Sequence, residues 1–388
     1  MLLPVILSGT AMMALVFVAL APVLALLARH LGGGQQGAFY AQMLMSTPAL
    51  GIVIGGPLAG ALIGRWGPPA VLLGALLGYA LFGGFGLFSE DAKLLIGSRF
   101  LLGADVAAIV TATSTMIGRL YDSDARNRLF GLQGAIGAGV ALIGVWSAGA
   151  VGEGFGWRAP FALYLLALPM ALLAFIAVRG INFAAGHRVE VEADTFASLS
   201  LYRLWPTYLL IFAMCIVMQM TGIQTGLVMA EDGVTSPASQ SVVLGMASLT
   251  GMLAGLAYGR VCRRFSRHVV GNLILLFWCA GQISIGLSHE PVATGAAVAL
   301  SGVGSGLMMS YLPTLLLGQV PLQMQAKALG FYYATMFLGD FCNPLVMSGL
   351  RTVLPDYHAV FIAIGGICGA CICPSLVATQ MHGRRAQW

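Results

Sequence analysis

Charge is what this 388-residue chain lacks most: Lys, Arg, Asp and Glu make up 9% of it, against 59% hydrophobic residues. A soluble domain carries about a quarter of its residues as charges, so the composition excludes a water-soluble enzyme or binding module. The Gly-x4-Gly-Lys-Ser/Thr loop that cradles nucleotide phosphates is also missing, and with it a P-loop source of energy. The seven cysteines (Cys215, Cys262, Cys279, Cys342, Cys368, Cys371 and Cys373) lie in or beside apolar runs, where a secreted-type disulfide framework is not expected. The cluster "CGACIC" at 368–373 has ligand-like spacing, but its surroundings are apolar and no histidine lies near it. Packing is its expected role; no metal and no cofactor are expected. All six histidines fall in loops or tails, and none is placed to relay protons inside a bilayer.

What the chain has instead is a series of charge-free runs: 2–28, 38–64, 66–89, 129–152, 159–178, 204–230, 233–259, 269–288, 291–326 and 359–381. Each is long enough for the roughly 20 helical residues that cross a hydrocarbon core. Segments 94–118 and 328–350 read as spans that contain ionisable residues, which gives twelve. The run 291–326 counts once, because no turn signal divides it. The runs do not alternate in polarity, which excludes a strand barrel. Residues 2–28 lack a basic start and are too long for a secretory leader, so they read as the first span. With the amino terminus inside, fourteen of the nineteen Lys and Arg residues fall in inner segments. Only Arg29, Lys93, Arg158 and Arg351 fall in outer loops. That asymmetry orients the chain with both termini in the cytoplasm. It also accounts for "RVCRRFSRH" at 260–268 without a nucleic-acid partner.

The spans repeat. Gly60 and Arg65 after span two recur as Gly259 and Arg264 after span eight, both offset by 199 residues. The same offset carries "RLFG" at 128–131 onto "KALG" at 327–330. The polar interval 182–204, with Arg188, Glu190, Glu192 and Asp194, separates the copies. The expected organisation is a six-helix bundle over 1–181, a cytoplasmic linker over 182–204 and a second six-helix bundle over 205–388. The expected fold is therefore an all-α membrane protein, with twelve transmembrane helices in two pseudo-symmetric bundles around a central cavity.

Four segments resemble the major facilitator superfamily, in particular its twelve-span drug:proton antiporter branch. "GALIGRWG" (60–67) is similar to the loop motif between spans two and three, through Gly60, Arg65 and Gly67. "RFLLG" (99–103) is like the span-four motif, "GFGWRAPF" (154–161) is like the entry to span six, and "FLGDFCNPL" (337–345) is like Gly-x-Phe-x-x-Pro in span eleven. Gly64 stands where the family usually has an acid, Pro68 and Pro69 stand where it has basic residues, and Gly144-Val145 replaces a Gly-Pro pair. The resemblance implies alternating access. It also implies a cytoplasmic gate at Gly60, Arg65 and Gly67, opposed by Arg263 and Arg264.

Two charges share span four. A charged group at mid-helix costs roughly 2.5–3.5 kcal/mol on insertion scales, so Arg99 and Asp105 demand partners or water. Asp105 lies roughly 9 Å deeper at 1.5 Å per residue, and the two side chains point about 120° apart around the helix. They are expected to face one cavity from different sides. A carboxylate holds its proton more tightly away from water and less tightly beside a cation, so Asp105 is expected to load and unload a proton with Arg99 as its modulator. The rival reading has Asp105 bonding a neighbouring helix. Asp340 in span eleven, followed by Asn343 and Pro344, is a second proton or cargo site. Span seven adds Gln219 and Gln224 within "QMTGIQTG" (219–226), either holding cargo or joining helices. In span ten, "SGVGSGLMMSYLP" (301–313) suits a flexible gate or plain small-residue packing.

The expected activity is proton-coupled export of a small organic molecule across a bacterial inner membrane. The alternative is import of a siderophore, sugar or organic acid on the same fold. Protons, a small-molecule cargo and lipid are the expected partners, and a monomer is expected. A sensor would call for an added soluble domain, and no nucleophile with a base, or metal set, can be assembled from the spans for an enzyme.

Overall fold

In a computed structural model the described residues are 2–178, 198–320 and 325–385, and their regular structure is all helix, with no strand among them. The helices are α1 (Leu2–Val18), α2 (Leu24–His30), α3 (Gly34–Trp66), α4 (Pro68–Gly84), α5 (Ala92–Leu120), α6 (Ser123–Phe155), α7 (Ala167–Val178), α8 (Ser198–Glu231), α9 (Pro237–Arg264), α10 (Arg267–Leu287), α11 (Pro291–Leu317), α12 (Gln325–Arg351) and α13 (Tyr357–Arg385). A 3-10 turn at Ala21–Val23, holding Pro22, joins α1 to α2 as one broken first span, and a 3-10 segment at Ala159–Leu166 opens the sixth span. Ten helical segments are long and apolar enough to cross a membrane, with a shorter one at Tyr357–Ile372. The more polar α12 completes the twelve. Most of the interval 182–204 lies outside the described residues, but α8 already begins at Ser198, inside it.

Local chemistry sets the boundaries. Asp91 accepts from the backbone N–H groups of Lys93 and Leu94 and caps α5, and Asp122 accepts from Ala125 N at 3.0 Å and caps α6. These side chains satisfy donors that the first turn leaves free. Pro68, Pro237 and Pro291 occupy first turns, where their missing N–H costs nothing. Between α3 and α4 the chain reverses at Gly67, whose φ of +80° suits a residue without Cβ.

The two halves, α1–α7 and α8–α13, repeat one packing device. In the first half α3 and α5 approach so closely that a Cβ on Gly103 would strike the Pro48 carbonyl and one on Gly51 the Phe100 carbonyl. In the second half, Gly306 abuts the Gly251 carbonyl and Gly302 abuts Ala247, between α9 and α11. Gly103 and Gly302 stand 199 residues apart, in the same place of the two copies, and so do the residues they abut, Pro48 and Ala247. Lipid supplies no hydrophobic drive between helices, so close backbone contact across small residues holds them together.

The halves meet along α3 with α12 and α6 with α9. Both chain ends lie at one end of the bundle, here called proximal. At the distal end the halves are sealed: Glu153 on α6 accepts from Ser236 Oγ at 2.7 Å and Ala238 N at 3.3 Å, and Gly149 and Gly152 pack on Ser241 and Pro237. At the proximal end Arg65 and Trp66 are exposed, and a Cβ on Gly60, Gly64, Gly259 or Gly330 would meet open space.

Candidate functional site

Four of the residues singled out by sequence converge where α8 packs on α12. Gln224 donates through Nε2 to Asn343 Oδ1 at 2.6 Å, and Asn343 donates through Nδ2 to the Ile216 carbonyl at 2.8 Å. One turn earlier on α12, Asp340 is 4% exposed and stands beside Gln219. Gly339 on α12 lies against the Phe212 carbonyl and Cys215, so the two backbones run close enough for short polar side chains to meet. Asp340 Oδ1 and Gln224 Oε1 are buried with no hydrogen-bond partner among the described residues. Within a bundle such acceptors call for a proton or a ligand that donates.

The cluster extends into the other half through a residue that sequence reading missed. Gln42 on α3 accepts from Gln224 Nε2 at 3.0 Å and donates to Tyr357 Oη of α13 at 2.8 Å. A chain of hydrogen bonds therefore runs from Tyr357 through Gln42 and Gln224 to Asn343, crossing between the halves twice. Gln42 sits in an uninterrupted apolar run, and its amide was the available signal. Beside it, Thr221 accepts from Gln282 of α10 at 3.0 Å, and the Thr225 hydroxyl is buried.

The span-four charges are arranged differently from the sequence expectation. Arg99 is fully buried, with its guanidinium carbon 4.6 Å from the ring centroids of both Phe161 and Tyr164. Gly83 on α4 and Gly86 in the 3-10 turn that follows it (Phe85–Leu87) leave room for these rings, and Tyr79 packs edge-on to Tyr164 while donating to the Met12 carbonyl at 3.0 Å. Asp105 faces α4, with both carboxylate oxygens 2.6 Å from where a Cβ on Gly78 would lie, and its Oδ2 is buried without a hydrogen-bond partner. Arg99 and Asp105 thus do not look into one cavity. Both lie within the first bundle, the arginine because two aromatic faces offer a cation what lipid does not.

Of the expected gate residues, Gly60, Arg65, Arg263 and Arg264 are exposed at the proximal end, and Gly67 forms the α3–α4 turn. Outside the distal seal lies a cavity of about 310 Å³ lined by Arg29, Gln35, Glu231, Arg351 and Tyr357 among others. Arg351 stands 3.7 Å from Glu231, which accepts from Tyr357 N at 3.0 Å.

The sequence profile of the Major Facilitator Superfamily matches residues 6–227 and 207–383. The chain belongs to the major facilitator superfamily. Among its relatives in that superfamily is the multi-drug resistance efflux pump PmrA of Streptococcus pneumoniae, 26% identical over 365 residues, spanning 91% of this chain and 89% of the pump. The fold is shared with the nucleoside transporter NupG, at a TM-score of 0.74 and 13% identity over 96% of this chain and 98% of that one. It is shared also with the inward open conformation of the xylose transporter XylE from E. coli, at a TM-score of 0.68 and 13% identity over 96% of each chain. As a superfamily member the chain is a multi-pass membrane transporter of small molecules, not an enzyme.

Proposed function

We propose that this transporter exports small organic molecules from a bacterium across the inner membrane in exchange for protons, with both termini and the proximal end in the cytoplasm. The observation that carries the reading is the buried Asp340 beside Gln219, one turn from Asn343 in an amide chain that bridges the halves. An acid with an orphaned oxygen at this depth is suited to hold a proton or to meet a hydrogen-bond donor on cargo. The amides next to it respond to any movement between α3, α8 and α12. On this reading the distal contacts of Glu153 with Ser236 and Ala238 close the outer end while cargo is taken up from the cytoplasmic one. Cargo enters from the cytoplasm, its binding near Asp340 displaces the proton, and the cross-half bonds of Gln42 give way as the outer end opens. Arg65, Arg263 and Arg264 then close the cytoplasmic end. Asp105 is proposed as a second proton site, and Arg99 as the group that holds α5 in register with the sixth span. The efflux relative supports export over import.

Reconstitution into liposomes with an imposed pH gradient and a pH-sensitive dye inside tests the coupling. With a panel of neutral and cationic organic compounds, at least one is expected to drive proton movement opposite to its own flux. Cargo flux that ignores the gradient would refute proton coupling, and proton and cargo moving together would refute exchange.

A further inference from the structure

Three side chains that no transport step uses meet at the distal end of the second bundle. Asp232 follows α8, His289 lies between α10 and α11, and His358 lies in the first turn of α13. His289 Nδ1 is 2.8 Å and His358 Nε2 is 3.2 Å from the same oxygen, Asp232 Oδ1. The two imidazole rings stand 4.7 Å apart, and one donor atom from each of the three residues lies within 4.8 Å of the others.

The second nitrogen of His358 decides how this cluster is read. His358 Nδ1 lies 3.1 Å from the Gly286 carbonyl, which only accepts, so Nδ1 carries the hydrogen. In the neutral ring Nε2 then holds a lone pair, buried and without a hydrogen-bond partner among the described residues. It points at a carboxylate oxygen, and two acceptors at that distance need a cation between them. A backbone carbonyl holding the far nitrogen is also how metal-binding histidines are usually oriented. We propose that Asp232, His289 and His358 bind one divalent transition-metal cation of the zinc type, with water in the fourth position. Two imidazoles and one carboxylate suit such an ion better than the oxygen-seeking Mg2+ or Ca2+. Bonds of about 2.0–2.1 Å in a tetrahedron set ligand atoms roughly 3.3 Å apart; the His358 contact already matches, and the His289 contact needs only a small opening. His289 is 69% exposed, so the ion has a way in. The neighbouring acids Glu231, Glu290 and Asp356 favour a cation there, while Arg351 is engaged with Glu231. A bound ion would tie together the ends of α8, α10 and α13, beside Tyr357 and its bond to Gln42.

The test uses the full-length, untagged protein in detergent, titrated with Co2+ while its visible absorption is recorded, then with Zn2+ as competitor and in thermal unfolding. The expected result is one equivalent of tetrahedral cobalt bands, displaced by Zn2+, and a Zn2+-dependent rise in Tm. His289→Ala and Asp232→Asn are expected to weaken binding at least tenfold. His30→Ala, at a separate histidine beside Glu90, is expected to leave it unchanged. Because His289 is exposed, its variant should match the wild type's Tm in EDTA, which separates lost binding from misfolding. Absence of the bands in wild type, or binding that survives His289→Ala, would overturn the proposal and leave a proton as the bridging cation.

Discussion

In the first bundle the cation Arg99 is closed between Phe161 and Tyr164 inside its own half, whereas in the second bundle Gln224 and Asn343 are reached by Gln42 from the opposite half. Both arrangements bury polarity in a membrane. What separates them is what a relative movement of the halves would disturb. Rocking one bundle against the other leaves the Arg99 rings in place, because Tyr79, Phe161 and Tyr164 travel with it. The same rocking breaks the bonds of Gln42. Buried charge alone therefore does not locate a transport site. Buried polarity that crosses between moving bodies is the better guide.

Arg99 offers the sharpest way to break this comparison. Arg99→Ala empties the space between two rings and is expected to cost about 2–5 kcal/mol, the usual range for large-to-small core changes. Arg99→Met refills that space without a charge to desolvate, so most of the stability should return, with cargo flux per folded molecule close to wild type. Thermal unfolding in detergent, paired with flux in liposomes, reads both. A stable Arg99→Met protein without flux would move the transport site into the first bundle. On the other side of the comparison, Gln224→Ala removes the donor to both Gln42 and Asn343. Roughly tenfold slower transport is expected, corresponding to about 1.4 kcal/mol, with a folded protein by gel filtration. Smallest is Gly78→Ala, whose new Cβ would press on the Asp105 carboxylate. A stability loss of about 1 kcal/mol is expected, in the ordinary range for single substitutions, with transport changed less than twofold. A transport defect larger than the stability defect would give Asp105 the greater role.

Much of this was legible in sequence because lipid simplifies the reading. Span count follows from apolar length, and the 199-residue offset predicted the two-copy architecture that reappears as glycine contacts at Gly103 and Gly302. Asp340, Gln219, Gln224 and Asn343 were visible as polar residues where few are tolerated, and they come together. What the sequence could not give was direction. Helical geometry says that Arg99 and Asp105 point about 120° apart, but not that the Arg99 side meets the sixth span and the Asp105 side meets Gly78. Phe161 belonged to a motif already noted, "GFGWRAPF", yet nothing in linear order links it to an arginine 62 positions earlier. Gln42 went unread because one amide in an otherwise apolar run resembles ordinary helix packing. Asp232 and His289 sit on separate connections and His358 in the first turn of α13, and only the folded bundle gathers them.

Proton coupling is proposed to reside in Asp340, one turn from the amide chain that joins the halves, and not in Asp105, packed inside the first bundle. It is tested most directly by comparing Asp340→Asn with Asp105→Asn for uphill cargo accumulation in liposomes under an imposed pH gradient, with equal amounts of folded protein. The account predicts that Asp340→Asn loses gradient-driven accumulation while still exchanging cargo at equilibrium, and that Asp105→Asn keeps a substantial part of it. Normal accumulation by Asp340→Asn, together with its loss in Asp105→Asn, would contradict the account.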